Sequence, residues 1–161
     1  MTSSNNIMAL DVGDVRIGVA VANGIARLPQ PLTTLTNGPE VNNQIAQLIR
    51  DQDVSRLVVG LPRGLNGQET EQTRKVRDFV EQLKQQLTVG VHLQDEAATS
   101  IQAEAELEHG KKPYTKAEID ARAAVIILDD FLREQGSHFY PCPVPSRSFA
   151  TPNSIGQRQL Y

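Results

Sequence analysis

Ile7-Met8-Ala9-Leu10-Asp11-Val12-Gly13-Asp14-Val15-Arg16-Ile17-Gly18-Val19-Ala20-Val21 is the stretch that decides the fold. Two apolar runs rich in β-branched residues flank a short polar turn, the pattern of a β-hairpin. Asp11 closes the first run. An ionised carboxylate beside a buried strand is costly unless something pairs with it. A metal ion or a hydrogen-bond network would meet that need. Gly13 allows the backbone to turn tightly there and a ligand to approach. The competing reading makes Asp11 a turn residue bonded to the Gly13 amide.

Downstream of the hairpin the pattern alternates between strands and helices. Residues 27–36, with Pro29 and Pro31, read as a short edge strand. Val41, Ile45, Leu48 and Ile49 fall at helical spacing and predict a helix over 40–52. A buried strand is expected over 56–60 and a turn-rich loop over 61–67. Val76, Phe79, Val80, Leu83 and Leu87 form one stripe of a helix over about 69–87. A strand over 89–93 leads into Asp95-Glu96. Thr99 with Gln102, and Thr115 with Glu118, have capping-box spacing. They predict helices over 100–110 and about 116–135, the second with Ile119, Ala123, Ile126, Ile127 and Phe131 on its apolar side. An opening hairpin followed by strand–helix alternation predicts an α/β domain with a mixed sheet flanked by helices. Four prolines and no acidic residue mark 136–161 as an irregular tail after a single domain over 1–135.

Composition narrows the function classes. The chain has 161 residues, 39% hydrophobic and 22% charged, which suits one soluble domain with a real core. No apolar run approaches the roughly 20 residues that span a bilayer, and the first six residues carry no export signal. Cys142 is the one cysteine, so no internal disulfide can form. A reducing cytoplasm is the expected compartment. The net charge of −3 excludes nucleic-acid binding by bulk charge. Such binding would need a local basic patch, a metal ion, or both. His92, His109 and His138 lack metal-ligand spacing, and Cys142 between two prolines has no neighbouring base.

Three acids stand out by position. Asp11 ends the first strand, Glu96 follows the strand 89–93, and Asp120 lies on the apolar side of the last helix. Thr115 already fills the capping role, so Asp120 is not needed there as a cap. Gathered at a sheet edge, three carboxylates would raise one another's pKa unless cations bound. Oxygen ligands without histidine favour Mg²⁺ or Mn²⁺, and two such ions can drive phosphodiester hydrolysis. Glu96 at a solvent-facing strand end and Asp120 paired with Lys116 are the plainer alternatives. Asp129 and Asp130 read as solvated helix surface.

Leu10-Asp11-Val12-Gly13 with Arg16-Ile17-Gly18-Val19-Ala20 resembles the opening hairpin of the YqgF/RuvX family. That family is described as Holliday-junction resolvases and pre-16S rRNA nucleases. Val59-Gly60-Leu61-Pro62 with Gly67, Asp95-Glu96 with Thr99, and Ile119-Asp120 with Ala123-Ala124 resemble its later blocks, so the likeness spans about residues 7–133. The resemblance implies an RNase H-like fold, with Asp11, Glu96 and Asp120 as metal-binding catalytic acids. It also implies a part in maturing the 5′ end of 16S ribosomal RNA. Ala97 stands where the family usually carries an arginine, and Arg63-Gly64-Leu65-Asn66 where it usually has an Asn and an Asp. Ala123 stands where related resolvases carry a fourth acid.

Arg16, Arg63, Lys111 and Lys112 are the cations placed to meet a phosphate backbone near the acids. The expected protein is a metal-dependent endonuclease, with nucleic acid or a small-subunit precursor as partner, acting as a monomer or weak homodimer. A four-way DNA junction is the alternative substrate. A non-catalytic RNA- or ribosome-binding protein and an actin-like nucleotide-binding module are alternatives of other classes. The loop 60–67 lacks the Gly-Lys-Ser/Thr ending of a P-loop, which argues against ATP there.

Overall fold

The computed structural model describes residues 5–64, 66–96 and 115–138. Strand β1 (Asn6–Val12) and strand β2 (Arg16–Ala22) form the expected antiparallel hairpin, with Leu10 opposite Val19 and Asp11 opposite Gly18. Strand β3 (Gln30–Thr36) pairs antiparallel with β2 and forms one edge of the sheet, where Pro31 is tolerated. Helix α1 (Val41–Asp51) crosses to strand β4 (Val54–Pro62), which lies parallel to β1 with Val59 beside Leu10. Helix α2 (Glu71–Lys84) crosses to strand β5 (Gly90–Glu96), parallel to β4 with Glu96 beside Pro62. Helix α3 (Lys116–His138) completes the described fold. The sheet order is β3-β2-β1-β4-β5, a mixed sheet as the alternation predicts.

Strand alternation sorts the core into two layers. Met8, Leu10, Val12, Ile17, Val19, Leu57, Val59 and Leu61 share a core with α1 and α2 through Ile45, Ile49, Val76, Val80 and Leu83. The intervening residues Ala9, Ala20, Ala22 and Val58 pack on α3 through Ala124, Ile127, Leu128, Phe131 and Leu132. These small side chains let α3 lie close to the sheet. A β-carbon on Gly18 would come within 1.9 Å of the Asp120 carbonyl oxygen.

Several boundaries differ from the sequence reading. Strand β4 runs past Gly60 to Pro62, and β5 includes Glu96. Both strands keep their ladder partners to the end, so the pairing extends them beyond the apolar runs. Helix α2 starts at Glu71 because Thr70, in an extended conformation, caps it reciprocally with Thr73. The predicted cap of α3 is present: Glu118 Oε2 accepts from the Thr115 amide at 2.7 Å, and the Glu118 amide donates to Thr115 Oγ1 at 3.3 Å. Helix α3 continues three residues past 135. The predicted helix 100–110 and the tail from 139 lie outside the described residues. Among the described residues, no helix is long and apolar enough to cross a membrane.

Candidate active site

The acids lie on one face of the sheet, where β1, β4 and β5 end and α3 begins. Asp11 is one residue from the end of β1 and shares its strand face with Ala9, the face that packs on α3. Its carboxylate does not bond the Gly13 amide. That amide donates to the Arg16 carbonyl at 2.9 Å, so the backbone closes the hairpin turn without the Asp11 side chain. Glu96 ends β5 on the same sheet face. A β-carbon on Gly60 would stand 2.1 Å from Glu96 Oε2 and 2.5 Å from Ile127 Cδ1. Glycine at 60 is therefore what leaves room for the carboxylate. Asp120 lies near the start of α3, against Gly18, the cross-strand neighbour of Asp11.

The site is electrostatically unfinished. Burial, then the charge of Asp120, pushes the Asp11 carboxyl up to about 6 from its ordinary 3.8. Burial, then the charge of Asp11, pushes Glu96 up to about 8 from 4.5. Each acid therefore feels the next across the group. Glu96 Oε2 is buried and has no hydrogen-bond partner among the described residues. A lone pair left bare in this way favours a cation that can use it.

Of the four cations singled out from the sequence, two can be placed. Arg16 donates from Nε to Asp120 Oδ2 at 2.7 Å, in place of the Lys116 pairing considered for Asp120. Arg63 is tied to Asp95 at 3.2 Å and to Glu69 at 3.5 Å, and Glu69 also receives Arg77 at 2.7 Å. Arg63 thus braces the loop after β4 against the end of β5. Lys111, Lys112 and Ala97 lie outside the described residues. Asp129 pairs with Arg133 at 2.9 Å along the helix, and Asp130 is exposed, in keeping with solvated surface.

Sequence reasoning missed three supporting residues. Gly18 and Gly60 were read as parts of apolar runs, not as clearances for Asp120 and Glu96. Gln94 is buried and donates to Glu134 Oε1 at 2.8 Å, fixing β5 to α3 two residues before Glu96. A glycine inside a strand-like run was the available signal for the first two.

The donor set suits a hard divalent cation: three carboxylates, one with a bare buried oxygen. Among the described residues, no three acidic, histidine or cysteine side chains yet stand in a ready-made metal cage. The Arg16 guanidinium engages Asp120 instead.

A mixed sheet in the order β3-β2-β1-β4-β5, with acids at strand ends under α3, is an RNase H-like arrangement. The chain shares its fold with Thermus thermophilus RuvC in complex with Holliday junction substrate. The TM-score is 0.52 at 13% identity, over 83% of this chain and 97% of that one. The model of the RuvX family, described as Holliday junction resolvase, matches residues 5–134, and the chain belongs to that family. A relative from Chloroflexus aurantiacus (strain J-10-fl) is 41% identical over 152 residues, 92% of this chain and 95% of the relative. One from Roseiflexus sp. (strain RS-1) is 42% identical over 133 residues, 80% and 94% of the two chains. Both carry the name "Putative pre-16S rRNA nuclease".

Proposed function

We propose that this chain is a cytoplasmic endonuclease that uses Mg²⁺ or Mn²⁺ to cut phosphodiester bonds in the 5′ precursor segment of 16S ribosomal RNA. The observation that carries the reading is the buried, unpartnered Glu96 Oε2 beside Asp11, in a group of acids whose charges oppose one another. A structural core would not retain such a group without a use for it. Membership of the RuvX family and the names of the relatives support the same reaction class.

Asp11, Glu96 and Asp120 are the residues that would hold the cations. When bound, such an ion would lower the pKa of an attacking water and offset charge on the leaving oxygen. Asp11 bridges the group electrostatically, since it lies within reach of both other charges. Without a cation, Glu96 keeps its proton at neutral pH, so the bare site is partly neutralised. The strand ends under α3 fix the carboxylates on rigid elements rather than on loops, which suits a precise metal geometry.

Asp11→Asn in the purified protein tests this reading. Mn²⁺-dependent cleavage of a precursor RNA spanning the 5′ end of 16S rRNA should fall by about a hundredfold or more, given the several kcal/mol of charge stabilisation at stake. Full cleavage by the variant would remove Asp11 from the mechanism. The description of the RuvX family favours a four-way DNA junction as the second substrate reading. Running both substrates side by side decides between them, with preferential cutting of the RNA expected.

A further inference from the structure

Arg16 occupies an unusual place for a cation expected to meet substrate. It opens β2 beside the Asp11 turn, and its backbone carbonyl accepts from the Gly13 amide at 2.9 Å. Asn37 fastens the same turn, donating from Nδ2 to the Gly13 carbonyl at 2.7 Å and from its amide to the Val15 carbonyl at 2.9 Å. From this fixed base the Arg16 side chain reaches a residue 104 positions away, Asp120 on α3. Both side chains are about one-third exposed, 36% and 27%. The contact uses Nε alone, not the two-pronged grip an arginine can give a carboxylate. Among the described residues it is the one ion pair made by any of the three acids. Arg63, the other nearby arginine, is already held by Asp95 and Glu69.

We propose that Arg16 is a built-in cation of the acid site, a latch that occupies Asp120 until a divalent ion takes its place. The inference rests on the metal-dependent reading above and adds the step that governs metal entry. One charge held by a single hydrogen bond, with solvent at hand, is exchangeable. A divalent ion offers twice the charge to three carboxylates at once, including the bare Glu96 oxygen that the guanidinium leaves unused. Asp120 would then pass from Arg16 to the ion, which all three acids would hold. Because the two cations compete for one carboxylate, the strength of the latch sets the divalent-ion concentration at which the site fills.

Mn²⁺ titration of the full chain, followed by calorimetry and by loss of the free-ion electron paramagnetic resonance signal, tests the latch without any cleavage assay. Arg16→Met should bind Mn²⁺ up to about fivefold more tightly than the parent, as expected when a competitor of ordinary ion-pair strength is removed. Arg63→Gln removes an equal charge from the same neighbourhood but no bond to Asp120. It should leave Mn²⁺ affinity within about twofold, which separates direct competition from general field effects. Arg16→Lys, which restores a charge at that position, should return affinity toward the parent value. Equal Mn²⁺ binding by the parent and Arg16→Met overturns the latch and leaves the metal-dependent reading standing. So does an equal gain in Arg63→Gln. Mn²⁺ binding by neither the parent nor Arg16→Met overturns both.

Discussion

On one face of the sheet, β1 and β2 present Met8, Leu10, Val12, Ile17 and Val19; on the other, the same strands present Ala9, Asp11, Gly18, Ala20 and Ala22. The first face is filled with large aliphatic side chains that α1 and α2 cover. The second is nearly bare, so α3 settles close to the backbone and brings Asp120 against Gly18. One face is built for stability by burying apolar area. The other gives up side-chain volume to set carboxylates beneath a helix. Alternating residues of the same two strands thus divide folding from chemistry.

Three changes test that division, the first with the largest expected effect. Gly18→Ala should destabilise the protein by more than about 3 kcal/mol, because its β-carbon would meet the Asp120 carbonyl and backbone cannot swing aside. Urea unfolding would measure it, and a loss below about 1 kcal/mol would show that α3 does not need its close seat. On the other face, Leu10→Ala should cost about 3 kcal/mol through a cavity in the large-residue layer. Mn²⁺ affinity should survive that change, since Leu10 points away from the acids. Affinity lost in proportion to stability would join the two faces into one functional unit.

The third change is a shift of pH in the metal-free protein, read as a slope rather than as a single loss. Asp11 and Glu96 titrate higher in the folded chain, near 6 and 8, than their ordinary 3.8 and 4.5. Between the ordinary and raised values the folded state binds more protons than the unfolded state. Stability is therefore greatest below about pH 4 to 4.5 as far as these groups are concerned, and it is lost as pH rises through 6 and 8. In chelator, unfolding free energy should fall steadily from pH 5 to pH 8. Glu96→Gln should flatten the upper part of that slope. A metal-free protein more stable at pH 8 than at pH 5 would contradict the burial and repulsion assigned to the acids.

Much of this was legible in the sequence because it is local. Alternation around Asp11 gave the hairpin, helical spacing gave α1 and α2, and Thr115 with Glu118 gave the start of α3. The three acids were picked out by their places on strand ends and on an apolar helix side. What escaped depends on partners distant in the chain. Whether Arg16 faces substrate or Asp120 is settled across 104 residues by the seating of α3. Arg63 reads as a free cation until β5 brings Asp95 to it. Gly18 and Gly60 have no visible purpose until Asp120 and Glu96 stand over them. Glu96 itself read as a residue after a strand, since ladder pairing with Pro62, rather than hydrophobicity, extends β5 to reach it.

The most direct measurement is the anomalous scattering of a crystal soaked in Mn²⁺ near neutral pH. A manganese peak shared by the oxygens of Asp11, Glu96 and Asp120, with Glu96 Oε2 among its ligands, is the predicted result. Manganese absent from that pocket at saturating concentration, with the three carboxylates left apart, would contradict the account.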